Sequence, residues 1–329
     1  MDFKRITLIG IKEFRDNITS FRFLALLVVM LVLAEIDVFG DIGSYLKTLE
    51  SLSSPGGYSL FGLPLAQNIF GGISSGIAGS SIFGSVIAIV LGFDLITKER
   101  ETGSMKAILS VPVYRDEVIN GKALGGIASI VFAVTVVFVL TFGILFVYSI
   151  VPDFSQMEFI FVFWLVTVLY LSGVFVMSLM VSSFSKTSGM SFIYSLLLFL
   201  LLTNVVYSAG IYTVDSVLGP KPSVNTNALD SSELNDYNSQ VKAYYQNEME
   251  LTNLVYYISY DTNYRKISSA LTDPVRYVWT QSFEKSDSDY QPDFSDIIEK
   301  VWGNILFLIA YPVVFFGIAY VKFMRLDLR

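Results

Sequence analysis

The chain has 329 residues, of which 53% are hydrophobic and 16% charged, and its mean hydropathy is +0.59. A soluble domain carries about a quarter charged residues, so this composition places the chain in a bilayer. With no Cys and no His there is no disulfide framework, no thiolate or imidazole metal site and no Cys or His nucleophile, and a net charge of −7 argues against a nucleic-acid partner.

Along the chain, Phe3, Ile6, Ile9, Gly10, Phe14 and Ile18 recur at helical spacing opposite Lys4, Lys12 and Arg15. The pattern predicts an amphipathic elbow helix lying on the inner leaflet. The apolar run after Arg22 is too long for a signal peptide and lacks a small-residue cleavage site, so it reads as an uncleaved first span over 22–40. Its Glu35 and Asp37 belong at the outer interface, where a carboxylate costs least. No Asp, Glu, Lys or Arg occurs in 51–93, 123–152, 159–185, 187–214 or 301–321. A spanning helix needs about 20 apolar residues, so further spans are expected at 70–96, 124–150, 158–182, 190–213 and 301–322. Six crossings with both termini inside put 1–22, 97–122, 183–189 and 322–329 in the cytoplasm, and these segments hold most of the Lys and Arg. In the second span Gly72, Gly76, Ser80 and Gly84 form a small-residue stripe, read as helix packing or as a smooth wall of a pathway.

Residues 214–300 contain an acidic excess equal to the whole net charge. After a polar opening, Asp230 and Glu233 resemble a capping box. Leu234, Tyr237, Val241, Tyr244, Leu251, Val255 and Ile258 then predict a helix of about 25 residues with one apolar-aromatic face. A shorter helix over 263–272 ends before Asp273-Pro274. The aromatic face either packs on the outer ends of the spans, or Tyr237, Tyr244, Tyr245, Tyr256, Tyr257, Tyr260 and Trp279 form an extracellular lid over departing substrate. Glu284, Asp287, Asp289, Asp293 and Asp296 lie in a Ser-rich stretch without an EF-hand pattern and read as a solvated acidic loop.

The expected architecture is therefore an all-α polytopic membrane protein of six transmembrane helices with an N-terminal elbow helix. Residues 1–213 hold the elbow and spans one to five with a cytoplasmic loop at 97–122; 214–300 form a mostly helical extracellular insertion between spans five and six; 301–329 are span six and a short tail. Spans two to six contain no ionisable residue in their interiors, which argues against a proton relay or a carboxylate filter within them. There is no G-x-x-x-x-G-K-[ST] phosphate loop, since Gly121-Lys122 lacks both the earlier glycine and the following Ser or Thr. Any ATP must be held by a partner.

The most informative stretch is FDLITKERETGSMKAILSVPVYRDEVINGKALGG, residues 93–126. Thr102-Gly103-Ser104 breaks one helical segment and caps another. Met105, Ile108 and Leu109 supply an apolar face, and Pro112 ends the segment. A short helix, charged at one end and greasy on one side, suits a groove in a soluble partner. The pattern Glu-Arg-Glu-x-Gly-Ser-x-Lys-x-x-Leu-(x)2-Pro-Val-x-Arg-x-Glu-Val-x-x-x-Lys resembles the permease subunits of ABC exporters of the type-two export class, with further likeness at Lys12-Glu13-Phe14-Arg15 and in the final span.

The resemblance implies a motor ATPase on a separate chain, in two copies, holding ATP and Mg; this chain then carries no cofactor, metal or catalytic residue. By the same likeness Glu99, Arg100, Glu101 and Gly103 open the coupling region, while Ser104, Lys106 and Leu109 belong to the coupling helix. Pro112, Arg115 and Lys122 make the return into span three, and Ser182 to Thr187, including Lys186, form a second, smaller contact. The family works as a dimer of permease protomers, with the substrate path lined mainly by spans two and five. An uncharged, aromatic-rich interior suits an amphipathic or hydrophobic cargo. The rival expectation is a membrane enzyme or sensor acting through the outer segment, which without His or Cys would need a Ser/Lys or paired-carboxylate site.

Overall fold

A computed structural model describes residues 3–54, 64–78, 83–103, 114–223, 231–281 and 292–325. Among the described residues every regular element is helical. The chain opens with α1 (Phe3–Ile18) and α2 (Phe21–Ser53), separated by a turn in which the Ser20 hydroxyl accepts a hydrogen bond from the Phe23 amide at 3.2 Å. That bond satisfies one of the free N–H groups of the first turn. A 3-10 turn at Ala66–Phe70 leads to α3 (Gly71–Ala78), followed by α4 (Phe83–Gly92) and the short α5 (Thr97–Glu101). Two long helices follow, α6 (Arg115–Val147) and α7 (Phe154–Phe184). Then α8 (Ser188–Leu200) runs through a π turn at Leu201–Val205 into α9 (Val206–Leu218). The last elements are α10 (Ser231–Ile258), α11 (Tyr260–Thr272), α12 (Pro274–Gln281) and α13 (Phe294–Met324).

Five helical stretches among the described residues are long and apolar enough to cross a bilayer: α2, α6, α7, the run from α8 through α9, and α13. The expected second span, 70–96, is represented by α3 and α4, with 79–82 outside the described residues, and no single helix among the described residues there reaches spanning length. The first span was expected to end near residue 40, yet α2 continues to Ser53. Hydropathy marks where a helix leaves lipid, whereas nothing in Asp41 to Ser53 breaks helical backbone. Glu35, expected at the outer interface, is enclosed by protein and not exposed. It is buried against α6, accepting a hydrogen bond from the Thr141 hydroxyl at 3.1 Å, and Thr141 lies well inside the charge-free run 123–152.

The centre of the bundle is α7, which packs against α4, α6, α8, α11 and α13. Phe163, Tyr170 and Phe175 are fully buried along it. An amphipathic helix does form at the N-terminus, but it is paired lengthwise with α6 and in the same direction, instead of lying free on its apolar face. Arg5 reaches Glu117 at 3.7 Å, Glu13 reaches Lys122 at 2.9 Å, and the Asn17 amide donates to Ser129 at 3.1 Å, a register that advances together on both helices. Close approach depends on Gly121 and Gly125: a Cβ there would stand 2.7 Å from Ile9 and 2.6 Å from Glu13. Phe3, counted on the apolar face, is 79% exposed, because the seam with α6 is made by Ile6, Gly10 and Glu13 instead.

The segment between α9 and α13 departs most from expectation. The α10 helix folds back along α9: Tyr237 donates to the Pro222 carbonyl at 3.3 Å and Tyr244 to the Gly219 carbonyl at 3.2 Å. Further along, Val255 packs on Gly210, and the Tyr207 and Tyr256 rings stack at 6.1 Å. The chain reverses at Ser259, and α11 climbs back between α3, α7 and α13. At the reversal Tyr260 donates to the Tyr170 carbonyl at 2.7 Å, and Tyr311 donates to the Ile258 carbonyl. Tyr311 is the middle residue of the charge-free run 301–321, and Tyr170 lies near the middle of 159–185. The tip of the α10–α11 hairpin therefore sits level with the middle of two spanning helices. An insertion read as wholly outside the membrane thus brings its tip level with the middle of those two helices, with Tyr260 and Asp261 buried there and Ile258 59% exposed.

A candidate coupling site and a polar hairpin tip

At the end of the bundle richest in Lys and Arg, three separate stretches of chain converge on Lys122. Its ammonium lies 2.9 Å from a Glu13 oxygen on α1 and 2.7 Å from a Glu99 oxygen on α5. The Lys122 side chain is only 4% exposed. A buried ammonium without a partner is strongly unfavourable, and two carboxylates supply the compensation. The arrangement ties the N-terminal helix, the start of the first loop and the root of α6 to one point. Beside it a cleft of about 600 Å³ is lined by charges of both signs, among them Arg22 and Asp94, which approach to 3.5 Å.

The first loop is also fastened to the turn between α7 and α8. The Ser182 hydroxyl accepts from the amides of Ile96 and Thr97, both at 3.2 Å. Arg100 donates to the Ser185 carbonyl at 2.9 Å. Glu101 accepts from the Ser188 amide at 3.0 Å and the Ser188 hydroxyl at 2.7 Å, placing a carboxylate on the first turn of α8, where a negative charge is favoured. The Ser188 hydroxyl and amide hold the Glu101 carboxyl below its ordinary pKa. Gly103, with φ +73°, follows α5 in the left-handed conformation that commonly ends a helix. Arg115 donates to the carbonyl of Met324, the last residue of α13, at 3.1 Å, while Lys322 lies 5.1 Å from the Phe184 ring. Lys186 is exposed on the same turn, with no ion pair among the described residues.

The sequence-derived residues thus divide. Glu99, Arg100, Glu101, Gly103, Arg115 and Lys186 all lie at one end of the bundle, and the first four meet the 182–188 turn or Lys122 directly or through α5. Ser104, Lys106, Leu109 and Pro112 lie outside the described residues. Of the small-residue stripe, Gly72 marks tight packing, since a Cβ there would stand 2.7 Å from the α2 backbone at Asp37. Gly84 is buried, Gly76 belongs to α3, and Ser80 lies outside the described residues. The aromatic lid does not exist as one cluster. Tyr237 and Tyr257 are separated along α10 by ~30 Å at 1.5 Å per residue, and Trp279 is 48% exposed on α12. Tyr237 and Tyr244 fasten α10 to the end of α9, whereas Tyr256 and Tyr257 lie near the tip. Glu284, Asp287 and Asp289 are outside the described residues, among which no group of acidic residues is arranged to hold a metal ion.

Sequence periodicity missed the second polar centre. Around the hairpin tip Tyr170 donates to Asp261 at 3.1 Å and lies 3.1 Å from Ser85, while Arg265 holds the other Asp261 oxygen at 2.6 Å. Tyr264 stacks on Tyr170 at 4.4 Å and meets Thr167 at 3.1 Å. The Asn304 side-chain amide donates to the Asn263 side-chain oxygen Oδ1 at 2.7 Å, and Asn263 donates to the backbone carbonyls of Tyr257 and Ser259. These bonds satisfy the backbone exposed where the helix breaks. The spans themselves carry no charge at this level, but the hairpin brings an acid and a base to it. No signal short of the fold could have shown this, because the partners come from five elements far apart in the chain.

The site as built contains carboxylates, hydroxyls, amides and cations arranged for packing and transmission, and the described ends of five spanning helices meet there. The family model described as ABC-2 family transporter protein matches residues 7–328. No curated protein matches the chain. A match over nearly the whole length, on an all-helical multi-pass membrane fold, makes this chain a member of the ABC-2 transporter family, a permease subunit of the kind that partners an ABC ATPase.

Proposed function

We propose that this chain is the membrane half of an ATP-driven exporter of amphipathic or hydrophobic molecules, paired with a second permease protomer and driven by two copies of a separate ATPase. The end bearing Lys122 faces the cytoplasm, with both termini there, in accord with its excess of Lys and Arg. ATP and Mg reside on the ATPase, and no residue of this chain performs covalent chemistry.

The observation that carries this reading is the convergence of the first loop and the 182–188 turn. Two stretches expected to meet the ATPase from different loops are joined through Ser182, Ser185 and Ser188. A displacement of residues 99–112 by closing ATPase subunits would act on α7 and α8 through those bonds. It would act on α1 and α6 through Glu99 and Lys122. Because α7 also carries the hairpin tip, the movement would reach the middle of the membrane as a rigid-body shift between packings.

Affinity purification of the full chain from its native membranes tests this. A nucleotide-hydrolysing subunit should accompany the wild-type chain in equal number, and Lys186→Glu, a charge reversal at an exposed site, should lose it while eluting normally in size exclusion. A wild-type chain that carries no ATPase would overturn the proposal.

A further inference from the structure

Beside the π turn between α8 and α9 is a cleft of about 550 Å³ between Thr203, Asn204 and Tyr207 on one side and Tyr256, Arg265 and Lys266 on the other. We propose that this cleft binds the anionic headgroup of an amphiphile, with Lys266 and Arg265 providing the charge. The assignment rests on the exporter reading above and names the class of its cargo.

Depth is the first argument. Lys266 lies six residues beyond Tyr260, so it stands ~9 Å along α11 from the hairpin tip. The tip is level with the middle of the apolar runs of α7 and α13, and half the hydrocarbon layer is ~15 Å. The cleft therefore opens within the depth of the acyl chains, in the half away from the Lys122 end. Charged groups at such depth are costly unless matched.

Charge is the second argument. Asp261 is matched by Arg265 at 2.6 Å. Lys266 has no carboxylate within ion-pair distance among the described residues. Its ammonium donates to the Asn253 oxygen at 2.8 Å and lies 5.7 Å and 5.9 Å from the centroids of the Tyr256 and Tyr257 rings. Amide and ring faces orient a cation without neutralising it. Among the described residues the cleft is left one positive charge in excess, and Arg265, bonded there only through Nε, keeps its two terminal nitrogens for another acceptor. A phosphate, sulfate or carboxylate head would complete both groups with charge-assisted hydrogen bonds.

The walls are the third. The π turn bulges the α8–α9 helix here, and Asn204 is exposed at its rim. Leu201 and Val205, 47% and 57% exposed on the same turn, continue the surface as apolar contacts for a chain. Arg265 also borders a cavity of about 650 Å³, lined by Asp41, Asp273 and Arg276 among others.

The test is binding of radiolabelled dodecyl phosphate to the full chain in phosphatidylcholine nanodiscs, without ATPase or nucleotide. Saturable binding is expected, weakened about tenfold by Lys266→Gln, the size of one charge-assisted hydrogen bond. Lys266→Arg should retain binding and Asn204→Leu, at the opposite wall, should weaken it, with all variants eluting as the wild type. Equal binding by Lys266→Gln and wild type would overturn the proposal, as would displacement by dodecyltrimethylammonium as effective as by unlabelled dodecyl phosphate. Displacement by inorganic phosphate at matched concentration would place a free anion in the cleft and overturn the amphiphile assignment. Because no ATPase is present, failure here leaves the exporter reading standing, and failure to recruit an ATPase leaves the cleft standing.

Discussion

The two polar centres of this protein solve opposite problems with related means. At Lys122 a full charge is buried and surrounded by two carboxylates from different elements, so three pieces of chain are obliged to move together. At the hairpin tip the buried groups are mainly neutral hydroxyls and amides, and the one acid there is already paired within its own helix by Arg265. The first arrangement is a fastening, because losing any member leaves a charge stranded. The second is a seat, because hydroxyls and amides tolerate small displacement with modest loss. A permease pulled at one end and opened in the middle, as proposed above, would use both properties in that order along the path of force.

The sharpest way to break the contrast is at Lys122. Lys122→Ala removes the buried cation that Glu13 and Glu99 both approach, leaving Lys12 at 3.8 Å from Glu13 on the more exposed side, and removing one partner of a buried ionic group costs about 3–5 kcal/mol. The thermal unfolding midpoint of the full chain in detergent should fall steeply. Replacing Glu13, Glu99 and Lys122 together by apolar residues of similar volume should restore most of it, since no charge is then stranded. A loss below about 1 kcal/mol for Lys122→Ala would assign these residues the worth of a surface pair, and the fastening would have to lie elsewhere.

At the hairpin the expected effect is smaller and of another kind. A Cβ on Gly173 would collide with the Tyr260 side chain and stand 3.4 Å from Pro312. Gly173→Ala should therefore displace the tip at the cost of overpacking, about 1–3 kcal/mol. Amide hydrogen exchange across 258–264 should accelerate while that of α1 and α5 stays as in the wild type. Equal acceleration at both centres would mean that the two are one cooperative unit, and the contrast drawn above would dissolve.

What could be read from the sequence follows the reach of each interaction. The i, i+3, i+4 and i+7 recurrence from Leu234 to Ile258 announced α10, and the charge-free runs announced most spans, because both signals are local. The membership of 99–101 and 182–187 in one region came through a family pattern. The depth of α10 and α11 did not show, because an acidic, aromatic segment reads as outer surface unless one knows that Tyr170, Thr167 and Asn304 await it. The burial of Glu35 did not show for the same reason: its partner Thr141 is on another helix. Glu13, Glu99 and Lys122 were each visible as charged residues near a boundary. Their convergence was not, since contacts across such chain distances leave no period in the sequence.

The smallest expected effect concerns how the first loop is held. Glu101 is exposed, and its carboxyl is kept below the ordinary glutamate value of 4.5 by the Ser188 hydroxyl and amide. A carboxyl with a depressed pKa in the folded state contributes its full stabilisation above the unfolded value, and the contribution is lost as pH falls through the lower, folded one. Exchange of the Ser188 amide should thus be protected equally at pH 7 and pH 6 after correction for intrinsic rates, and deprotected only at pH values below 4.5. Glu101→Gln should remove that pH dependence while keeping one acceptor for the amide, with little change in unfolding temperature, whereas Lys122 variants, which keep Glu101, should retain the acid step at Ser188. If Ser188 protection instead followed Lys122 substitution at neutral pH, the turn between α7 and α8 would depend on the buried charge and not on its own contact with α5, and force from the loop would have a single route into the bundle.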